Sequence, residues 1–287
     1  MKRVFTLLIA SVLVCNAFGN GSELKLRSRS KVALGGAELA KLLAPMPPEL
    51  RERRILQEVL SGNVPSFYRH FVPVTVTETI DEKAMTAVMD VAPDYLAVGS
   101  DADHLFVPLT PFTAQRIADR LGCRLPTPKM VDAIYHAASL KMTPQPIPPS
   151  PEMVTVPEFW RHTQLVDQQR GLLLAARPLG ELVAGDKKDV VITNALDSPT
   201  KVAIYGWHTL DGKPIQPLYT GHSATWADYS HGIRLISRAM TVDGKRTTVD
   251  AVLADPKLCV LLSREGSVKS PRYKITRFPV LEPHSTR

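Results

Sequence analysis

Past its first residues the chain has no apolar stretch long enough to cross a bilayer as a helix, which takes about 20 residues, so no membrane span is expected in the mature protein. Nor does it have a basic run interleaved with aromatics. Nucleic acid is therefore not an expected partner. No His-Glu-x-x-His or similar short spacing announces a metal, so a metal site would have to be assembled from dispersed ligands. Cysteine is scarce as well. Of three, Cys15 directly follows the N-terminal apolar run, leaving Cys123 and Cys259 as a disulfide, as two buried small side chains, or as a reactive thiol and its neighbour.

What is present begins with an export signal. Lys2-Arg3 precedes the apolar run Val4 to Val14, and Ala17-Phe18-Gly19 offers a small-x-small cleavage site, so residues 1–19 read as a secretory signal peptide. Bulky Val14 stands where a lipoprotein signal wants Gly or Ala, which favours plain export over lipidation of Cys15. A periplasmic or secreted location follows. Loss of Lys2 and Arg3 lowers the formal charge from +7 to +5, a cationic surface that can meet anionic envelope polymers but chiefly serves solubility.

The rest is long enough for a sizeable core, and its patterning predicts an α+β protein. Residues 20–142 form a helical and mixed N-terminal region. Helices are expected over Gly36 to Leu43, Pro47 to Leu60, around Ala114 to Leu121, and after the Thr127 cap with Pro128 at the first helical position. Phe71 to Thr79 alternates as a strand, and short strands are expected over Ala84 to Val91 and Tyr95 to Gly99. Residues 143–157 carry Pro144, Pro146, Pro148, Pro149, Pro151 and Pro157, which forbid regular structure and make a domain linker or a strap across one fold.

After a helix near Phe159 to Gln169, residues 158–287 turn antiparallel and β-rich. Strands are expected at Val190 to Thr193 and Lys201 to Tyr205. Asp211-Gly212 predicts a two-residue hairpin that sets His208 opposite Ile215, with Ile204, Gly206 and His208 on one face and Tyr205 and Trp207 on the other. A second hairpin is expected at Asp243-Gly244, followed by short helices near Val249 to Leu253 and Lys257 to Leu262. Lys187-Lys188-Asp189 reads as an exposed turn, since charge runs usually solvate.

Chemistry concentrates where His208, His222, Asp228 and His231 fall among Trp207, Trp226 and Tyr229. Imidazole titrates near neutrality and is the commonest metal ligand, so the group suits either proton transfer or a metal, zinc being the candidate. A thiol route would use Cys123, near a helix N-terminus, as nucleophile and His231 as base. Trp207, Trp226 and Tyr229 offer faces for a sugar ring. The alternative is a turn over Asp228 to Gly232 held by side-chain hydrogen bonds, with no turnover.

Ser230-His231-Gly232-Ile233-Arg234-Leu235 resembles the histidine strand of NlpC/P60-like cell-wall cysteine peptidases, although Gly122-Cys123-Arg124 departs from their Asp-Cys-Ser pattern. Gly221-His-x5-Asp228 resembles, one residue off, the His-and-Asp ligand run of D-Ala-D-Ala-type peptidoglycan peptidases. More broadly, Leu125-Pro-Thr127, Tyr205-Gly-Trp-His208 and Asp228-Tyr-Ser-His-Gly232 resemble segments of a family of secreted bacterial proteins to which no activity is attached, a likeness covering Pro65 to about Gly266. These resemblances imply export and, for the peptidase segments, a cysteine- or metal-dependent hydrolase acting on amide bonds of an envelope polymer such as peptidoglycan. The competing expectation is a non-catalytic protein that binds envelope glycan.

Overall fold

The computed structural model describes residues 23–268 and 270–274; the expected signal peptide, residues 1–19 with Cys15, lies outside them. Within that range the chain is α+β. In order it forms α1 (Gly36–Leu43), α2 (Pro48–Leu60), β1 (Val72–Ile80), β2 (Lys83–Val91), β3 (Ala97–Gly99), β4 (His104–Phe106), α3 (Pro111–Arg120), β5 (Cys123–Arg124), α4 (Pro128–Ala137) and β6 (Leu140–Lys141). Then come α5 (Val156–Gly171), β7 (Val183–Ala184), β8 (Lys188–Val190), β9 (Ile204–His208), β10 (Pro214–Tyr219), β11 (His231–Gly232), β12 (Ile236–Val242), β13 (Lys245–Thr248) and α6 (Val249–Ala254). Among the described residues no helix is long and apolar enough to cross a membrane.

Two sheets organise the molecule. The first runs β1-β2-β12-β13 with β5 also on β12, and the second runs β10-β9-β8-β11. In the first, Asp81 and Glu82 take φ of 49° and 64° at the β1–β2 corner, the two left-handed positions a tight hairpin needs. Period-two alternation then sends Val74, Ala87, Met89 and Val91 into the core. The second sheet is antiparallel except where β11 lies parallel to β8.

β12, from the C-terminal half, pairs with β2, and one apolar core joins Leu39, Val74 and Met89 to Ile236 and Leu253. The proline-rich stretch is accordingly a strap across one fold. Its prolines keep residues 143–150 free of regular structure before a short 3-10 turn at Pro151–Val154. The strap is fastened by Tyr229, whose Oη accepts the Ile147 N–H at 2.6 Å and whose own N–H donates to the Met153 carbonyl at 2.9 Å.

Several turn signals act as expected. The Thr127 side chain accepts the Met130 N–H at 3.2 Å to cap α4, with Pro128 at its first position. The hairpin register differs by one. Thr209 and Lys213 close the loop through the Thr209 N–H to the Lys213 carbonyl, leaving Leu210, Asp211 and a left-handed Gly212 as a three-residue turn, so Pro214 and not Ile215 lies opposite His208. Strand β8 also ends at Val190 where Thr193 was expected, because Ile192 donates to the Pro126 carbonyl, outside the ladder.

Gly232 shows how tightly β11 is set. A Cβ there would lie 2.4 Å from the Tyr95 ring and 2.8 Å from the Lys187 Cβ, both of which are buried. Gly232→Ala is expected to cost about 1–3 kcal/mol, the usual penalty for overpacking a filled interior, seen as a lower urea midpoint at unchanged slope. An unmoved midpoint would mean that Tyr95 yields freely.

Candidate functional site

The site is built where β9, β8 and the Asp228–Gly232 segment meet helices α4 and α5. On β9 the expected alternation fails at a defined place. Gly206 has φ 107° and Trp207, unusually for a tryptophan, φ 57°. This reversal turns Tyr205 and His208 to one partner. Both reach Asp132 of α4, Tyr205 Oη at 2.8 Å and His208 Nε2 at 2.9 Å from the same carboxylate oxygen, while Arg264 takes the other oxygen. Burial works against the Asp132 charge, but His208, Arg264 and Tyr205 outweigh it and hold the carboxyl below its usual range. Tyr135 stacks on the His208 ring at 4.5 Å, so that imidazole is enclosed.

Asp228 heads a second group. The segment after it is a turn, with the Asp228 Oδ1 accepting from the Ser230 N–H at 2.9 Å and Oγ–H at 2.5 Å, and its carbonyl accepting from the His231 N–H at 3.0 Å. Ser230 and His231 therefore both approach Asp228 and do not face apart as they would along a strand. Oδ2 takes Lys188 Nζ at 3.1 Å and Trp226 Nε1–H at 3.2 Å, and His231 Nε2 stands 3.8 Å away. His231 has neither ring nitrogen hydrogen-bonded, and burial pushes its pKa down to about 3, against the pull of Asp228. It is a neutral imidazole at pH 7. Lys188 and Ser230 thus keep Asp228 ionised, against its own burial, with His231 adding to them only in acid. Outside, His222 stacks on Trp226 with ring centres 5.4 Å apart and planes 16° from parallel, and Tyr219 meets His222 edge-on at 5.0 Å.

A third group was not anticipated. Lys187, Lys188 and Asp189, expected as an exposed turn, are 1%, 6% and 2% exposed. Each has a partner that makes burial tolerable. Lys187 Nζ lies 2.8 Å from His162 Nδ1 and donates to the Tyr229 carbonyl at 2.7 Å, over the Phe106 ring; Asp189 accepts from Tyr95 Oη–H at 2.8 Å. Burial lowers the Lys187 pKa, and burial with Asp94 beside it raises that of Asp186. His162 on α5 is pushed down to about 2 by burial and then by Lys187. The available signal was local: Gly185 to Asp189 is polar but sits directly between the apolar runs Leu182 to Ala184 and Val190 to Ile192.

The sequence candidates thus divide. His222, Trp226, Asp228 and His231 share one neighbourhood, and His208 belongs to Asp132. Trp207 and Tyr229, expected at a sugar surface, are buried, their rings meeting each other and His162 inside the protein. Cys123 lies in the core on β5, paired with Ser237, with its thiol donating to the Leu121 carbonyl and pushed up to about 12 by burial. Such a thiol is protonated at neutral pH and lacks the electropositive, accessible setting of a nucleophile. Cys123 and Cys259 are both free, not bonded. Among the described residues no three His, Cys, Asp or Glu side chains are gathered to share a metal ion, so the dispersed ligands do not assemble the zinc site.

The chain matches no family model, no curated protein and no solved structure. Any function has to be read from the geometry itself.

The buried groups fix a pH profile. His162 and His231, neutral when folded, bind protons readily only after unfolding, so the stability they confer is complete above about pH 6.5 and drains away as pH falls toward 3. Asp189, pushed up to about 6 by burial, and Asp186, also raised, have the opposite sign: their contribution grows as pH falls to about 4. Lowered His222 and raised Glu52 add one group to each side. The urea midpoint is expected to change little from about pH 6 to 4, then drop steeply as Asp228 joins the histidines. Asp186→Asn removes one opposing group, so its midpoint should already fall between 6 and 4. A variant whose midpoint stays as flat there as the unmodified protein's would contradict the assignment.

Proposed function

We propose that the protein is a non-catalytic module that binds a glycan chain of the cell envelope, in the exported location the leader implies. One observation carries this reading. Of the aromatic and imidazole groups expected to act, Trp207, Tyr229, His208 and His231 are enclosed, whereas half-buried His222 and Trp226, together with Tyr219, which was not anticipated and is 45% exposed, form a row of contacting rings at the surface. Aromatic rings of this kind present a flat apolar face with polar edges, the pairing that a sugar ring's C–H face and hydroxyls require. Lys201, Ser223 and Thr225 lie beside the row, and a cationic surface suits anionic envelope polymers. The buried ion network supports the row from below through Asp228, which holds the Trp226 indole.

Gly221 gives a way to disturb the row without deleting a ring. A Cβ on it would lie 2.2 Å from Tyr219 Oη, so Gly221→Ala has to swing the phenol aside. Co-sedimentation with purified peptidoglycan sacculi should show saturable binding, weakened about tenfold by both Tyr219→Ala and Gly221→Ala at unchanged melting temperature. An absence of binding by the unmodified protein, or equal binding by both variants, would remove this reading.

A hydrolase is the second reading, favoured by the placement of His231, whose ring nitrogens are free of hydrogen bonds and whose Nε2 stands 3.8 Å from the Asp228 carboxylate, an acid–imidazole pairing that proton transfer uses. It would require the buried surroundings of His231 on β11 to open for substrate. Release of soluble muropeptides by the unmodified protein, abolished in His231→Gln, would establish it in place of the binding module.

A further inference from the structure

Helix α5 ends in a segment unlike the rest of the surface. From Gly171 to Ala176 six consecutive residues, Gly-Leu-Leu-Leu-Ala-Ala, carry no charge and no polar side chain, and all are exposed. Leu172 is 84% exposed, Leu173 37%, Leu174 41% and Leu179 36%. Water-facing leucines in such a cluster mark a surface that meets something apolar. The segment is also ordered as successive turns: the N–H groups of Leu173, Ala176 and Arg177 donate to the carbonyls of Arg170 and Leu173 at 2.8–3.0 Å. Its base is fixed by Arg170, which forms a buried ion pair with Asp94 and lies over the Phe67 ring.

We propose that this turn is a membrane-surface anchor that dips Leu172, Leu173, Leu174 and Leu179 into the interfacial zone of an anionic lipid bilayer. Three features select lipid over a protein partner. The exposed leucine surface amounts to about two whole side chains, far below the ~800 Å² each partner contributes to a stable protein interface, yet enough for weak, reversible partition into acyl chains. The internal hydrogen bonds already satisfy backbone donors that would otherwise enter an apolar medium unpaired. Arg177, beside the run and still partly exposed despite its contact with Glu181, is placed to reach lipid phosphates, and the net charge of +5 left once Lys2 and Arg3 are removed draws the protein toward an anionic surface. This inference is independent of what the Tyr219–Trp226 row binds.

The full mature protein would be centrifuged with vesicles of phosphatidylethanolamine and phosphatidylglycerol, and with vesicles of phosphatidylcholine alone. Binding to the anionic vesicles is expected, weaker on phosphatidylcholine, and reduced about tenfold or more in L172S/L173S/L174S with melting temperature and sacculus binding unchanged. Arg177→Ser should reduce binding to the anionic vesicles and leave the phosphatidylcholine value alone. No binding by the unmodified protein, equal binding by the triple variant, or a concentration-dependent dimer that the triple variant abolishes would overturn the proposal.

Discussion

A guanidinium with no exposed surface, that of Arg234, sets the conditions for the interior around it. It lies 4.1 Å above the Tyr95 ring and donates to the carbonyls of Ala92 at 3.0 Å and Val183 at 2.7 Å, joining the end of β2, the Tyr95 loop and β7. Burial works against its charge, but Tyr95, Asp189, Asp94 and Asp186 outweigh that cost and make it hold its proton more firmly than usual. A cation so placed needs anions nearby, and those anions need further donors. Asp94 takes Arg170, Asp189 takes the Tyr95 hydroxyl, and the pattern spreads along β8 until Lys188 meets Asp228. Removing one member leaves its partner buried and uncompensated, so the chain of pairs behaves as a unit.

That arrangement explains where sequence reasoning succeeded and where it stopped. Turn chemistry is local, and Thr127-Pro128, Asp243-Gly244 and the irregular, proline-rich character of residues 143–157 could be read directly from it, though not whether that stretch links two domains or straps one. The charges of Gly185 to Asp189 could not, because what makes them interior is Arg234, Asp228 and His162, all distant in sequence. The reversal at Gly206 and Trp207 is likewise invisible to a rule of alternation. A left-handed tryptophan is held by its surroundings, here the rings of His162 and Tyr229 that receive it, and nothing in Tyr-Gly-Trp-His itself announces the bend. Of the candidate site, the joining of His222, Trp226, Asp228 and His231 followed from their closeness in sequence, while Asp132 as the partner of His208 did not.

Enclosure also decides what chemistry each group retains. His208 is committed to a carboxylate and a stacked ring, Cys123 to the apolar core, and His231 to a dry neutral state. A histidine held neutral beside an ionised aspartate is closed off from solvent here, with 1% of its surface exposed. Of the outer rings, Trp226 is tied to this interior by its Nε1–H, which donates to Asp228.

Strand β2 lies between β1, its hairpin neighbour, and β12, whose Ile236 pairs with Val91 about 145 residues earlier. During synthesis the first hairpin is therefore made early and then waits, one flank open, until nearly the whole polypeptide has emerged. Until then the backbone N–H and C=O groups along that flank of β2 have no strand to pair with, an open edge onto which another strand could add. Maturation is postponed to the moment when the last quarter of the chain arrives to close it.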